Sequence, residues 1–164
     1  MTSSGKASVT LPADEQILIT REFDAPRELV YEAWTTPELV RRWWSGDRGE
    51  MTVCEIDLRV GGSWRYAMVA NGGQEVAFHG EFREIVPNER VVSTEVYEGI
   101  PDAEEHGTLN TLTFTELDGG RTLMEVLVVH PTKLGRDMHI NSGMEVGLQE
   151  ALDHLEEVAL SLRS

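Results

Sequence analysis

His79 and Glu81 stand two residues apart in FHGEF, so in a strand they share a face, with Arg83 next along it. An imidazole beside a carboxylate can move a proton to or from a molecule held over a sheet. The same alternation puts Val76, Phe78 and Phe82 on the other face, so His79 reaches an apolar interior only if a bulge near Gly80 exchanges the sides. Without that bulge His79 is a solvated rim residue, which the pattern favours. Glu125 falls between Leu123 and Leu127 by alternation, where a dry carboxyl would have a raised pKa and could serve as a general acid. Both faces of LMEVLVV are apolar, however, and a wet edge position is the commoner outcome. Candidate proton-transfer groups are thus His79, Glu81 and Glu125, and no catalytic motif joins them.

His106, His130, His139 and His154 show no HxxxH, HxH or HExxH spacing, so no metal is expected. No GxSxG, P-loop or dinucleotide glycine pattern occurs, Gly61-Gly62 reads as a turn, and no cofactor is expected. Asp57 and Arg59 could pair with each other or with Arg41 or Arg42, as a structural ion pair. The more distinctive chemistry is apolar. The run YEAWTTPELVRRWWSG, Tyr31 to Gly46, holds three of the four tryptophans. Aromatic rings offer large rigid walls with one polar handle each, which suits a ligand cavity as well as a core. The expected cavity residues are Trp43, Trp44, Trp64, Tyr66 and Met68, with Phe114, Met144, Gly147, Leu148 and Ala151 facing them. Trp34 is assigned to core packing. Consecutive helical residues point about 100° apart, so one of Trp43 and Trp44 is expected to face inward and the other to cover the mouth of the sheet.

The elements that must position these side chains follow from periodicity. Ile17, Ile19 and Phe23 alternate against Leu18, Thr20 and Glu22, predicting a first strand. Pro26 precedes a short helix carrying Leu29, Val30, Ala33 and Trp34, and Pro37 opens a second that Gly46 stops. From Met51 to Val129, β-branched and aromatic alternation punctuated by glycine and asparagine turns predicts six strands in hairpins. The acidic segment Glu98 to Gly107 interrupts them as an exposed loop. A long helix from about Ser142 to Leu162 carries the stripe Met144, Leu148, Leu152, Leu155, Ala159 and Leu162. Beside it runs Gly143, Gly147 and Ala151, which either packs tightly on a strand or leaves space for a ligand.

A chain of 164 residues has the length of one domain, and residues 17–164 are expected to form it after a polar, disordered tail at 1–16. Lys and Arg number 14 against 29 Asp and Glu, a formal charge of -15 with no basic run, which argues against nucleic acid and anionic membranes as partners. The lone Cys54 cannot form an internal disulfide and fits a buried apolar role and a cytoplasmic setting.

The blocks FDAPRELVYEAWTTPELVRRWW, EIDLRVGGSWRY, FHGEFREIVPNERVV and SGMEVGLQEALDHLEEVA resemble the activator of heat-shock protein 90 ATPase-like family, within the START-like, birch-pollen-allergen-like superfamily. The resemblance runs from about Ile17 to Leu162. It implies an α+β helix-grip fold: a curved antiparallel sheet of about seven strands wrapped around a long C-terminal helix, with two short helices after the first strand. It also implies an apolar pocket between sheet and helix. Superfamily members include lipid carriers, hormone receptors and polyketide cyclases, so function lies in the pocket. The expected partner is an apolar or aromatic small molecule. An enzyme of the cyclase, dehydratase or hydrolase kind is the first alternative. A co-chaperone docking through the Glu98 to Gly107 loop is the less favoured second, because the founding co-chaperones carry a separate chaperone-binding domain. Homodimerisation through a sheet edge or the aromatic cluster is left open.

Overall fold

Strict alternation fixes the first long strand. In β2 (Gln16–Phe23), Ile17, Ile19, Arg21 and Phe23 are buried while their neighbours are partly exposed. The computed structural model describes residues 6–163. Ahead of β2, Ser8–Thr10 forms a short edge strand, β1, that pairs antiparallel with Leu18, Ile19 and Thr20. This corrects the expected disordered tail over 1–16: part of it is held by the ladder of β2, a tertiary pairing that polar composition does not reveal. Residues 1–5 of that tail lie outside the described residues.

Helices α1 (Arg27–Thr35) and α2 (Pro37–Val40) follow, and turns carry the chain to β3 (Gly49–Ile56). Strands β4 (Ser63–Ala70), β5 (Glu75–Val86), β6 (Arg90–Tyr97), β7 (Thr108–Leu117) and β8 (Arg121–Val129) complete an antiparallel sheet ordered β1-β2-β8-β7-β6-β5-β4-β3. The six strands expected after Met51 are all present, and β1 raises the total to eight. Register shifts at Met51/Val53 and Phe82/Glu84 bend the sheet. Its concave face receives α4 (Met144–Ser161), the expected long helix. One further helix, α3 (Lys133–Ile140), lies between β8 and α4. Its residues Leu134 and Met138 are exposed, so it carries no core stripe for periodicity to detect.

The main core lies under the C-terminal half of α4. Leu152, Leu155, Val158 and Ala159 are buried against Phe23, Val30, Ala33 and Met124. Arg21 is fully buried beside them, its guanidinium bonded to Asp153 (2.9 Å) and near Glu156 (3.5 Å), and stacked over the Phe23 ring (4.9 Å). A buried cation is tolerable only with such partners. Cys54 is buried and pushed up to about 11 by burial, in keeping with an apolar role.

Candidate functional site

Under the N-terminal half of α4 the sheet is not filled. A cavity of about 410 Å³ lies between the concave face and α4, walled mainly by apolar side chains. From the sheet, Trp64, Tyr66 and Met68 border it, since alternation on β4 turns all three inward. From the helix, Met144, Gly147, Leu148 and Ala151 border it at three- and four-residue spacing. Phe114 does not. It is buried in the filled core, edge-on to Tyr31 with centroids 5.8 Å apart, because β7 runs beneath α1 at that point.

All four indoles border the cavity. Trp43 is almost wholly buried, donates its Nε1–H to the Ala33 carbonyl (2.8 Å) and packs edge-on against Trp34 (4.6 Å). Trp44 stands edge-on to Tyr66 (5.3 Å) and Phe78 (5.6 Å). The expected division, one ring inside and one covering the outside of the sheet mouth, is therefore corrected: both rings border the hollow, Trp43 from the core side and Trp44 across its aromatic wall. Trp34 serves both core and cavity.

Gly80 shapes the floor. A Cβ there would run into the Thr94 carbonyl and come 2.6 Å from the Trp64 Nε1. Its absence lets the Trp64 indole lie across β5 and donate to the Thr94 oxygen at 3.1 Å. The next residue, Glu95, borders the cavity with Ser93 and Asn110 as a polar stretch in an apolar wall. Glu95 Oε1 accepts from Asn110 Nδ2 (3.0 Å), and Asn110 Oδ1 accepts from Thr108 Oγ1 (2.9 Å). The second carboxyl oxygen has no hydrogen-bond partner among the described residues, yet it is not closed off by protein atoms, so its open surface is the cavity. Burial pushes the Glu95 carboxyl up, partly countered by the Asn110 bond. Burial likewise pushes the Tyr66 phenol up, with lesser contributions from Cys54 and Glu95.

Glu95 carries no local signal in RVVSTEVY. Its signal is the register: Ser93 faces Asn110 and Glu95 faces Thr108 across β6 and β7, on the face that carries Val91 and Leu112 inward. Two facing polar pairs on a core face mark an unfilled space.

At the rim, Arg48 lies over Gly147, where a Cβ would come 2.9 Å from its Nε, and pairs loosely with Glu150 (3.9 Å). Gly147 is small to admit Arg48, and Gly143 takes φ 83° as the joint between α3 and α4. Neither packs against a strand. His139 borders the cavity and shares a 3.0 Å hydrogen bond with His130. Burial holds both imidazoles down, His130 at about 4 with a further push from His139 and Arg136.

The three residues expected to transfer protons lie elsewhere. His79 pairs with Arg65 in register, and Glu81 with Ser63, on the convex face opposite Trp64 and Tyr66. The irregularity in β5 comes after Phe82, too late to turn His79 inward. His79 Nδ1 meets Glu98 Oε2 and Nε2 meets Glu104 Oε2, each at 2.8 Å, while Arg65 holds Glu98 in a two-pronged pair at 3.0 Å. Arg65, His79 and their bonds hold the Glu98 carboxyl down at about 2. These groups fasten the acidic Glu98 to Gly107 segment, which contains a 3-10 turn at Ala103–His106, onto the sheet. Glu81 pairs with Arg83 (3.4 Å). Glu125 sits opposite Thr20 and Thr113 on the convex face, because Met124, Val126 and Val128 take the cavity side. Asp57 pairs with Arg59 at 2.8 Å. No cluster of three or more His, Cys, Asp or Glu capable of holding a metal occurs among the described residues.

A family model described as "Activator of Hsp90 ATPase homolog 1-like protein" matches residues 24–159. Solved structures share the fold. A protein from Rhodobacter sphaeroides is 25% identical, with 96% of this chain and 99% of that one covered at a TM-score of 0.87. One from Arthrobacter aurescens is 24% identical over 94% and 91%, TM-score 0.82. One from Nitrosomonas europaea is 23% identical over 92% and 97%, TM-score 0.80. No curated protein matches. Among the described residues no helix is long and apolar enough to cross a membrane.

Proposed function

We propose that this chain, which belongs to the Activator of Hsp90 ATPase homolog 1-like family, is a cytoplasmic binding module that holds a small apolar or aromatic molecule between its sheet and α4. One observation carries the reading: a hollow of about 410 Å³ bordered by all four indoles, in a fold whose interior would otherwise be close-packed. That volume falls in the ordinary range of small-molecule pockets, about 300–1,000 Å³. Apolar burial supplies affinity, and the Trp44, Tyr66 and Phe78 rings supply a rigid wall that loses little entropy on binding.

The test is titration with a neutral hydrophobic probe, N-phenylnaphthylamine, following tryptophan quenching and melting temperature. A probe at about a hundred times its Kd stabilises the fold by about 2.7 kcal/mol. Leu148→Trp, which fills the hollow, is expected to abolish quenching while the protein stays folded. Absence of quenching and of any thermal shift in the unaltered protein overturns the reading.

A catalytic alternative has one observation in its favour, the Glu95 carboxyl open to the cavity, and it no longer involves His79, Glu81 or Glu125. It predicts Glu95-dependent deuterium exchange at the carbon beside the carbonyl of bound tetralone. No exchange above the Glu95→Gln background removes it. The co-chaperone alternative would use the acidic Glu98 to Gly107 segment, which Arg65 and His79 fasten to the sheet through Glu98; a pull-down with the chaperone and an ATPase assay test it, and absence of both effects removes it.

A further inference from the structure

Glu95 is an acid without a base. Its hydrogen-bond partners among the described residues are neutral: the Asn110 amide on one oxygen, and through it the Thr108 hydroxyl. No Arg, Lys or His forms an ion pair with it among the described residues. Arg21, the other buried charge on the concave face, has two carboxylates in reach. An ionised carboxylate away from bulk water is costly unless a cation reaches it. Here the open oxygen is aimed at the hollow, where a ligand atom can reach it.

The surroundings suit a cation. Trp64 bonds to the carbonyl of Thr94, directly before Glu95, and Trp64, Tyr66 and Glu95 border the same cavity, with Glu95 close enough to Tyr66 to act on its phenol. The Tyr66 ring is 4.8 Å from that of Trp64. Ring faces attract ammonium groups, and the attraction grows as water is excluded. A hydroxyl could satisfy the hydrogen bond of the free oxygen but would leave its charge uncompensated. A carboxylate ligand would be repelled there, and the chain's formal charge of -15 disfavours its approach.

Resting on the reading of the hollow as a small-molecule site, we propose that it selects an aromatic or alicyclic molecule bearing a protonated amine, with the ammonium group on the free oxygen of Glu95 beside Trp64 and Tyr66. The class is set by one charge and one apolar body of bicyclic size.

Three probes of equal shape test this at neutral pH: naphthylmethylamine, naphthylmethanol and naphthoate, each titrated by tryptophan quenching and calorimetry. The amine is expected to bind about tenfold or more tightly than the alcohol, which corresponds to a single well-placed charge contact, and naphthoate weakest. In the near-isosteric Glu95→Gln variant the amine is expected to lose that advantage while the alcohol keeps its affinity within about twofold. The ranking in the unaltered protein stands by itself if the variant misfolds. Equal binding of amine and alcohol, tighter binding of naphthoate through Arg48, or an amine preference that survives in Glu95→Gln overturns the amine class and leaves the hollow as a binding site. Failure of all three probes to bind overturns both.

Discussion

The two halves of α4 rest on one sheet but face opposite conditions. The C-terminal half lays Leu152, Leu155 and Ala159 into a closed core beneath α1, where even the buried Arg21 is answered by Asp153 and Glu156. The N-terminal half presents Met144, Gly147 and Leu148 to a hollow, where Glu95 is answered by no cation among the described residues. One helix thus anchors the fold with its last turns and roofs a cavity with its first. Stability and recognition are assigned to different turns of a continuous element, so each can be altered without the other.

Paired truncations break this contrast most sharply. Leu155→Ala is expected to cost about 2–5 kcal/mol in urea denaturation, because it opens a void in close packing. Leu148→Ala is expected to cost under about 1 kcal/mol, since Leu148 already borders open space. Equal losses would mean that the hollow is closed in solution.

Acid should strike the hollow end first. The folded-state pKa of His130 is lowered by burial to about 4, so below its unfolded value of about 6.5 the unfolded chain takes up the proton and the folded chain does not. Stability is then present above about pH 6.5 and lost as the pH falls toward 4, by about 1–3 kcal/mol allowing for partial exposure. His130→Leu should flatten that part of the profile relative to the unaltered protein; parallel profiles would remove the His130 contribution.

Gly80→Ala tests the floor of the cavity. Forcing a Cβ against Thr94 and Trp64 is expected to destabilise by about 1–3 kcal/mol and to weaken probe binding as well. A neutral result on both counts would show that Trp64 does not depend on that gap.

The smallest effect concerns the convex face. Burial lowers the His79 imidazole, but its bonds to Glu98 and Glu104 together outweigh this, and the net shift is upward. The clamp is therefore complete below the unfolded histidine pKa and weakens as the pH rises through the folded one. Amide exchange in 98–107 should speed up over that rise beyond the intrinsic pH effect, and His79→Gln should remove the excess. Cavity affinity for naphthylmethanol should not change.

Much of this contrast could be read in the sequence, and its failures are physical. The strands from Met51 onward were legible because their turns and two-residue alternation are strong local signals, as in SWRYAMVA. The wall of Trp64, Tyr66 and Met68 followed from that alternation, and the helical spacing of Met144, Gly147 and Leu148 brought them to the same space. Strand β1 was illegible because its order comes from pairing with β2, and α3 because Gly135 interrupts it and its apolar residues face outward. Glu95 was hidden because one carboxylate in RVVSTEVY has no meaning until register sets it beside Asn110 and Thr108. Pairings between distant strands are not encoded in local periodicity.

The backbone N–H of Ala7 donates to Gln149 Oε1 at 2.8 Å, which fastens the first described residues to the turn of α4 that follows Leu148. An affinity tag or dye attached just ahead of this point would hang beside the roof of the cavity. Fusions at that end are thus poor choices for affinity measurements and good ones for a reporter, whereas labels beyond Ser161 sit at the closed end and leave occupancy undisturbed.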